Sequence, residues 1–264
     1  MKAVNIIKYP GSKSRIAQWI CSLMPKHKVY LEPFFGGGAV FFAKDSVAIE
    51  TINDIDEEVV NFFQVLRDYP DELTRQLAFT PYHRKEYDNA YSPAFAPIER
   101  ARRFAIKCCM GFGCGNLYHN GFRRSVKSNG SDPAGIWNDL PKRLMSVVER
   151  LKRAQIECGP ALPLIQKYDT PDALIYLDPP YYQGTRKPYL YKYEMSNRDH
   201  EELIEIIKGL KYAKVILSGY ECELYNNQLK DWHVERTQNQ VECGLKRQEC
   251  LWMNFKPETL LYEI

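Results

Sequence analysis

The chain has 264 residues, of which 45% are hydrophobic and 26% are charged, a composition that is ordinary for a globular protein with a sizeable core. No apolar stretch approaches the ~18 residues of a membrane helix, and the N-terminus lacks the hydrophobic region of a secretory signal. The sequence therefore excludes a membrane protein and predicts a cytoplasmic location. The net charge is only +3, but residues 98–153 hold twelve Lys or Arg against four Asp or Glu, so the basic charge is concentrated in one segment.

The N-terminal part of the chain predicts alternating strands and helices. The motif Lys8-Tyr9-Pro10-Gly11-Ser12-Lys13 precedes a helix that begins near Ser14. Short segments with the apolar pattern of a β-strand then alternate with segments whose apolar residues lie on one face of a helix. These are a strand over Lys28–Glu32, a helix over Ala39–Ala43, a strand over Ser46–Ile52 and a helix over Glu57–Arg67.

After residue 80 the sequence becomes aromatic and basic, and the alternation returns after residue 160. In the basic part, helices are predicted over Ile98–Met110 and Pro141–Arg153, with a loop over Gly111–Asn138. The later elements are a strand over Ala173–Leu177, a helix over His200–Leu210, a strand over Lys214–Ser218 and a hairpin over Val241–Phe255. This order predicts a doubly wound α/β core of residues 1–80 and 155–264, interrupted by a mostly helical insertion of residues 81–154.

The tetrapeptide Asp178-Pro179-Pro180-Tyr181 directly follows an apolar strand, and open α/β sheets bind ligands beyond the carboxyl ends of their strands. The Asp178 carboxylate and the Pro179 carbonyl are both pure acceptors, and proline fixes the direction of that carbonyl. Two fixed acceptors suit an exocyclic NH2 group, whose lone pair would then point outward as a nucleophile while Tyr181 stacks on the attached base. The alternative interpretation is a strand that ends in a Pro-Pro turn.

Residues near the first two strands indicate a nucleotide-like cofactor. The glycines Gly36–Gly38 lie at the first strand-to-helix turn, where a missing Cβ lets a ligand approach the backbone. Their spacing differs from G-x-G-x-x-G, which disfavours a dinucleotide. Asp54 ends the next strand and is placed to bind ribose hydroxyls, or alternatively to cap the following helix. Lys13 and Tyr9 are placed to contact a cofactor carboxylate and a cationic centre.

Taken in this order, the motifs resemble those of the DNA adenine-N6 methyltransferase family that uses S-adenosylmethionine. In the matching arrangement the recognition region lies between the cofactor motifs and the catalytic motif. The resemblance covers nearly the whole chain. The segments that carry it are 8–13, 32–38, 53–56, 178–181, 199–203, 215–220 and 246–252.

The resemblance implies a Rossmann-like methyltransferase sheet, S-adenosylmethionine as methyl donor, a flipped adenine and no metal. Its catalytic motif corresponds here to Asp178, Pro179, Pro180 and Tyr181. The cofactor-binding residues that it implies are Tyr9, Lys13, Glu32, Pro33, Phe34, Gly36, Gly38, Asp54 and Asp178. Flipping is expected on physical grounds, because N6 of adenine is engaged in pairing within a duplex.

The basic segment predicts contacts with double-stranded DNA, although a solvated helix face is the alternative. Arg123, Arg124 and Lys127 are expected to contact DNA, some on phosphates and at most one or two on guanine edges. Asn116 is assigned to the same recognition region. Family members that read GATC carry an Asn-Leu-Arg-Gly-Glu-Phe-Asn-like segment there, and the different sequence of residues 116–124 argues against GATC.

Other activities remain as alternatives. RNA adenine methylation would use the same catalytic residues and would differ in contacts to 2′-hydroxyls. Cytosine-N4 enzymes usually begin the tetrad with Ser and protein-glutamine enzymes with Asn, so Asp178 disfavours both. A catalytically inactive DNA-binding module of the same fold is a further alternative, which a thermal shift with S-adenosylmethionine would separate.

The eight cysteines lack the spacing of a disulfide framework, so we expect reduced thiols. Cys108, Cys109, Cys114 and His119 are close in sequence, but they lack a C-x-x-C pair, and no metal is predicted. A monomer is expected, because one enzyme can methylate one adenine without a two-fold partner. The presence of a cognate restriction enzyme does not follow from the sequence.

Overall fold

The computed structural model describes residues 6–113, 119–127, 129–182, 191–240 and 246–258. Within these ranges the helices are α1 (Ala17–Ser22), α2 (Ala39–Ala43), α3 (Glu57–Asp68), α4 (Pro70–Ala78), α5 (Arg84–Asn89), α6 (Pro97–Met110), α7 (Pro133–Asn138), α8 (Leu140–Met145), α9 (Val148–Lys152), α10 (Ala161–Lys167), α11 (Asn197–Gly209) and α12 (Glu223–Gln228). The strands are β1 (Val29–Glu32), β2 (Ile49–Asp54), β3 (Gln155–Cys158), β4 (Ala173–Leu177), β5 (Lys214–Tyr220), β6 (His233–Gln240) and β7 (Lys246–Met253).

The strands form one sheet in the order β3-β2-β1-β4-β5-β7-β6. The first five strands in this order are parallel, whereas β7 is antiparallel to both β5 and β6. The connections run outward in opposite directions from the neighbours β1 and β4, which creates a crevice at their carboxyl ends. The predicted doubly wound α/β sheet is therefore confirmed.

Helices cover both faces of this sheet. On β4, Leu174 and Tyr176 belong to one hydrophobic cluster, and Ile175 and Leu177 belong to the other. The first cluster takes the apolar face of α3, and the second takes that of α11. Because parallel strands are buried on both faces, β4 reads as a continuous apolar run, and its predicted bounds are correct.

Helix α6 packs along α3 and joins the basic region to the sheet layers. The Phe104 ring on α6 lies 5.5 Å from the Phe62 ring on α3, and both belong to the same hydrophobic cluster. Arg100 Nη2 donates to Glu58 Oε1 at 2.6 Å across the two helices. The division into a core of residues 1–80 and 155–264 and an insertion of residues 81–154 remains a prediction.

The extents of two predicted elements in the basic region were wrong. The predicted loop over Gly111–Asn138 contains helix α7, where Asp132 caps the N-terminus by accepting from Gly135 N–H at 2.9 Å. The single helix predicted over Pro141–Arg153 is two helices, α8 and α9. At the break, Ser146 Oγ donates to the Arg143 carbonyl at 2.7 Å, and such local bonds compete with helix continuation.

The predicted hairpin over Val241–Phe255 begins earlier in the structure, because β6 starts at His233. Its connection, residues 241–245, lies outside the described residues. Strand β6 has the polar sequence HVERTQNQ at the edge of the sheet, where polar residues are normal and hide the alternation that identifies a strand. Helices α4, α5, α10 and α12 and strand β3 were also missed. In the described ranges no helix has the length and apolar character needed to cross a membrane.

Candidate active site

A cleft of about 280 Å³ opens at the carboxyl ends of β1, β2 and β4. It brings together the sequence-predicted residues Tyr9, Lys13, Glu32, Pro33, Phe34, Gly36, Gly38, Asp54, Asp178 and Pro180. These residues come from both ends of the chain, and the parallel strands place them at one edge of the sheet. All nine predicted cofactor-binding residues therefore line this cleft, whereas Pro179 and Tyr181 of the predicted catalytic motif are not part of its lining.

The glycine turn after β1 forms one wall of the cleft. Gly36 and Gly38 have φ values of +50° and +65°, which other residues adopt only with strain. A Cβ on Gly36 would lie 2.9 Å from the Tyr9 ring, and one on Gly38 would overlap the Phe35 ring. The turn thus needs glycine both for its conformation and for its packing.

Asp54, at the end of β2, holds the glycine turn in place. Its Oδ2 accepts from Gly36 N–H at 2.7 Å, and its Oδ1 accepts from Asp56 N–H at 2.9 Å. Burial raises the pKa of Asp54 to about 6, although these two hydrogen bonds favour the carboxylate. A carboxylate offers about four lone-pair sites, so Asp54 can still accept a hydrogen bond from a ligand. The cap of α3 is Asp56, whose Oδ1 accepts from Glu58 N–H, so the capping alternative for Asp54 is wrong.

An apolar part of the cleft was missed by the sequence reasoning. Ile55 is 45% exposed and lines the cleft together with Pro160 and Leu162, which follow β3. Asn53 fixes this arrangement, because its Nδ2 donates to the carbonyls of Pro33 at 2.9 Å and Gly159 at 3.0 Å. Identifying β3 would have predicted this wall, since the strand ends beside β2.

Glu32 is a buried acid at the end of β1. Its Oε2 accepts from the Tyr30 hydroxyl at 2.7 Å. Burial raises the pKa of Glu32 to about 8, because the stabilising hydrogen bond from Tyr30 is weaker than the loss of hydration, and Asp178 repels the charge further. Near neutral pH this side chain is therefore largely protonated.

Asp178 follows β4 and is paired with Lys13, 165 residues earlier in the chain. Lys13 Nζ donates to both carboxylate oxygens, at 2.6 and 2.7 Å, and to the Gly11 carbonyl at 3.1 Å. Burial raises the pKa of Asp178 to about 6, the ammonium opposes this rise, and nearby Glu249 adds to it. The Lys13 side chain, which was expected to meet a cofactor carboxylate, instead binds the acid of the catalytic motif.

Tyr181 is held by a second buried acid. Its hydroxyl donates to Glu249 Oε1 at 2.6 Å, and its ring lies 4.3 Å from the Tyr220 ring in an edge-on arrangement. Lys13 Nζ lies over the Tyr181 ring, 4.7 Å from its centroid. Glu249 was not predicted as a site residue, although it lies within segment 246–252 of the resemblance and its place on the strand β7 next to β5 could have suggested it.

The segment after the catalytic motif returns to the cleft. Residues 183–190 lie outside the described ranges, and Tyr191, Tyr193 and Met195 line the cleft. The Tyr191 hydroxyl lies so close to Gly11 that a Cβ there would overlap it, and Gly11 has a φ of +70°. The loops before α1 and before α11 therefore meet at the cleft.

The predicted DNA-binding residues lie on an anchored segment. The Arg123 N–H donates to the Met110 carbonyl at 2.7 Å, and its own carbonyl accepts from the Tyr82 hydroxyl at 2.7 Å. Arg124 and Lys127 are exposed, whereas Arg123 is half-buried. Asn116 lies outside the described residues, so the structure gives no position for it.

Several cations of the basic segment are engaged within the fold rather than presented as one charged face. Arg102 binds Glu86 and Glu99, and Arg103 binds Glu99. Arg150 binds the buried Glu50, with Nη2 and Oε1 at 2.6 Å. Residues 98–153 carry a net charge of 12 − 4 = +8, and this value overstates the charge available to a partner because Glu86 and Glu50 lie outside the segment. The exposed cations Arg124 and Lys127 remain the best candidates.

The cysteine-rich part of the basic region gives no sign of a metal site within the described residues. His119 Nε2 lies 2.9 Å from Asp88 Oδ1, and its ring packs against Tyr87 and Tyr91. Cys114 lies outside the described residues, and among the residues that the structure describes no three His, Cys, Asp or Glu side chains group as metal ligands.

Comparison with known proteins gives matches along most of the chain. The family model described as D12 class N6 adenine-specific DNA methyltransferase matches residues 9–243. The type II methyltransferase M.MjaIII of Methanocaldococcus jannaschii is 26% identical over 97% of this chain and 100% of its own length. The type II methyltransferase M1.LlaDCHI of Lactococcus lactis subsp. cremoris is 26% identical over 90% of this chain and 89% of its own. Among solved structures, a methyltransferase from Geobacter sulfurreducens aligns over 95% of this chain and 81% of its own, with 7% identity and a TM-score of 0.42.

Proposed function

Because this chain belongs to the D12 class N6 adenine-specific DNA methyltransferase family, we propose that it methylates a flipped adenine at a specific DNA sequence, with S-adenosylmethionine as methyl donor. The observation that carries this proposal is the placement of Asp178 and Tyr181 beside the glycine-turn cleft. An acceptor for an amino group and a stacking surface for a base thus adjoin a nucleoside-sized crevice. The names of the two relatives, both type II methyltransferases, support sequence-specific action.

The residues of the cleft fit S-adenosylmethionine. The positive-φ glycines leave space along the backbone, Asp54 retains lone pairs for ribose hydroxyls, and Ile55 offers an apolar surface to a purine ring. Glu32, at the floor of the crevice, would accept from an ammonium group and would lose its proton on doing so. When bound, the cofactor supplies an electrophilic methyl group on its sulfonium, so the protein need not provide a covalent nucleophile.

Asp178, Pro179 and Tyr181 would prepare the adenine. The Asp178 carboxylate and the Pro179 carbonyl accept from the two N6 protons, which draws the nitrogen lone pair out of the ring and directs it toward the donor. Tyr181, whose hydroxyl is fixed by Glu249, holds the base by stacking. Catalysis in this scheme is mainly positioning, and Asp178 needs to be ionised rather than strongly basic.

Double-stranded DNA requires extrusion of the adenine, because N6 is paired and enclosed in the helix. Arg124 and Lys127 are exposed and suited to phosphate contacts, which fix the register of the duplex without reading its sequence. Arg123 is half-buried and its backbone is held by two hydrogen bonds, so it is the stronger candidate for a hydrogen bond to a base edge, which needs a defined direction.

The proposal is tested by single-molecule sequencing of DNA from a methylation-deficient bacterial host that expresses this chain. We expect N6-methyladenine at one recurrent sequence, and we expect it to disappear with Asp178→Asn, which keeps the shape of the side chain. Circular dichroism would verify that the variant is folded. Unmethylated DNA in the presence of folded, cofactor-binding protein would contradict the proposal and would direct the search to adenine in RNA.

A further inference from the structure

Glu249 lies beyond the part of the chain matched by the family model, yet it is buried against the catalytic motif. Three donors converge on its Oε1 atom: the Tyr181 hydroxyl at 2.6 Å, the Ser218 hydroxyl at 2.9 Å and the Lys13 ammonium at 3.8 Å. Asp178 and Glu249 thus share a single lysine. The Glu249 carboxylate therefore contacts Tyr181 directly and lies beside the lysine that binds Asp178, the two residues proposed to hold the base.

The Lys13 ammonium takes two positions that an incoming adenine needs. It donates to both oxygens of Asp178, at 2.6 and 2.7 Å, where the amino group of the base would donate. It also lies over the Tyr181 ring, 4.7 Å from the centroid, within the layer that a stacked base would fill. The ammonium must therefore move before the base can bind.

We propose that Lys13 is a placeholder for the adenine amino group, and that Glu249 is a positioning residue that receives the ammonium when the base enters. This inference rests on the proposed function, and it assigns to Glu249 a role in base entry. The lysine would exchange one carboxylate for the other without leaving the buried site.

Charge balance supports the exchange. The amino group of adenine is neutral, so it cannot replace the ammonium as the counter-charge of two buried carboxylates. An ammonium expelled into the apolar site without a partner would be strongly unfavourable. The ammonium lies 3.8 Å from Glu249 Oε1, so an approach of about 1 Å makes a hydrogen bond. Rotation of the flexible lysine stem would carry the ammonium to Glu249 and away from the Asp178 oxygens and the Tyr181 ring.

Glu249 also fixes the stacking surface. Its bond to the Tyr181 hydroxyl is short and buried, so the ring keeps its orientation whether or not a base is present. The carboxylate therefore links two requirements for base entry, a free acceptor on Asp178 and a ring held ready to stack.

The test uses the whole chain and a duplex that keeps the target adenine and carries 2-aminopurine at the neighbouring base, with S-adenosylhomocysteine present. Extrusion of the adenine unstacks this neighbour and raises its fluorescence. Methylation of DNA by the wild-type protein is established first, so its absence would count against the proposed function itself. Glu249→Gln keeps the shape of the side chain and an oxygen for Tyr181 and Ser218, and it removes the charge. We expect the equilibrium constant for extrusion, obtained from this fluorescence, to fall by about tenfold or more, the scale of one charge-assisted hydrogen bond.

Two further variants separate positioning from packing. Glu249→Asp retains the charge and should restore much of the extrusion. Glu50→Gln changes another buried acid that binds a lysine, Lys44 at 2.6 Å, on β2 away from the base site, and it should leave extrusion unchanged. Wild-type extrusion in Glu249→Gln, or an equal loss in Glu50→Gln, would overturn the inference.

A double-variant cycle tests the exchange directly. In a Lys13→Met background no ammonium needs a second partner, so adding Glu249→Gln should cause much less further loss than it does in the wild-type background. Equal losses in the two backgrounds would show that Glu249 acts independently of Lys13 and would overturn the inference.

Discussion

Burial raises the pKa values of three acids at the cleft, Glu32, Asp54 and Asp178. Each is buried, and loss of hydration raises the pKa to about 8 for Glu32 and to about 6 for Asp54 and Asp178. Their partners decide the difference. Asp178 has an ammonium and Asp54 has two backbone N–H groups, whereas the nearest partner of Glu32 is a neutral hydroxyl.

The pKa of Asp178 predicts the pH dependence of methyl transfer. The carboxylate must be ionised to accept from N6, so the rate should be highest above pH 6 and should fall as the pH decreases through about 6. The pH dependence of kcat/KM for DNA between pH 5 and pH 8, with cofactor saturating, measures this, because kcat/KM reports the pKa values of the enzyme before DNA binds. A rate that is constant down to pH 5 would contradict the role given to Asp178.

Glu32→Gln tests the raised pKa of the buried acid through stability. The folded state holds this proton up to about pH 8, whereas the unfolded chain loses it near pH 4.5, so the wild type loses stability between these values. The glutamine variant lacks this dependence. Its free energy of unfolding relative to wild type should increase with pH, by up to about 1.4 kcal/mol per pH unit. Urea denaturation at pH 5 and pH 8 measures the free energy of unfolding of the variant and the wild type. The same difference between them at both pH values would contradict the raised pKa of Glu32.

At the residue scale, the sequence located the acids but not their partners. Asp54 and Asp178 follow recognisable strands, and topology alone puts them at one edge of the sheet. The Lys13–Asp178 pair and the Tyr181–Glu249 bond join residues far apart in sequence, so they depend on side-chain packing that no local pattern encodes.

At the element scale, the strand-to-helix turn after β1 is the most constrained connection of the cleft. Gly38 is the N-cap of α2 at a φ of +65°, and its N–H donates to the Phe35 carbonyl at 2.8 Å. The rings of Phe35 and Phe42 occupy the space that a Cβ would need. The turn therefore couples the shape of the cofactor wall to the packing beneath it.

Gly38→Ala should destabilise the protein and weaken cofactor binding together. A positive φ and a blocked Cβ predict a loss of about 1–3 kcal/mol in the free energy of unfolding. Urea denaturation and calorimetric titration with S-adenosylhomocysteine measure the two effects. Gly209→Ala, at the end of α11 where a Cβ meets nothing within 4 Å, is the matched control and should be nearly neutral. Equal behaviour of the two variants would contradict the prediction.

Strands and helices were predictable where burial gave them a pattern. β4 has five buried residues in succession and α3 has a continuous apolar face, and the predicted bounds agree closely with the structure. β3 and β6 lie at the two edges of the sheet, and neither has the apolar alternation that identifies a strand, because β3 is mostly exposed and β6 is mostly polar.

At the scale of the whole molecule, the two ends of the parallel strands differ. The carboxyl ends of the parallel strands hold the cleft, while Lys28 and Asp172 form an exposed pair, 3.3 Å apart, at the opposite end. The fold class was predictable from the order of strands and helices, and the strand ends that carry the acids predicted which edge of the sheet holds the cleft. The distribution of usable positive charge was not, because the pairing of Arg100 with Glu58 and of Arg150 with Glu50 spans 42 and 100 residues.

Replacing Arg124 and Lys127 together by alanine should weaken DNA binding in a salt-dependent way. If each contacts one phosphate, the slope of log affinity against log salt should decrease by about 2. Fluorescence anisotropy at several salt concentrations measures this slope. Lys28→Ala, at the opposite end of the sheet, is the control and should leave both affinity and slope unchanged. An unaltered slope in the double variant would exclude these residues as phosphate contacts.

The ion pairs that tie α6 and α9 to α3 and β2 also determine where related sequences could be recombined. If all of residues 81–154 were replaced by those of a relative, Arg100 and Arg150 would be removed while Glu58 and Glu50 stayed. The buried Glu50 would then lose one of the cations that it binds. Crossovers inside the stretch between α6 and α9, residues 111–147, would keep each arginine with its native carboxylate. On the proposal that this region reads DNA, a new specificity would be grafted onto the scaffold by exchanging that inner stretch alone.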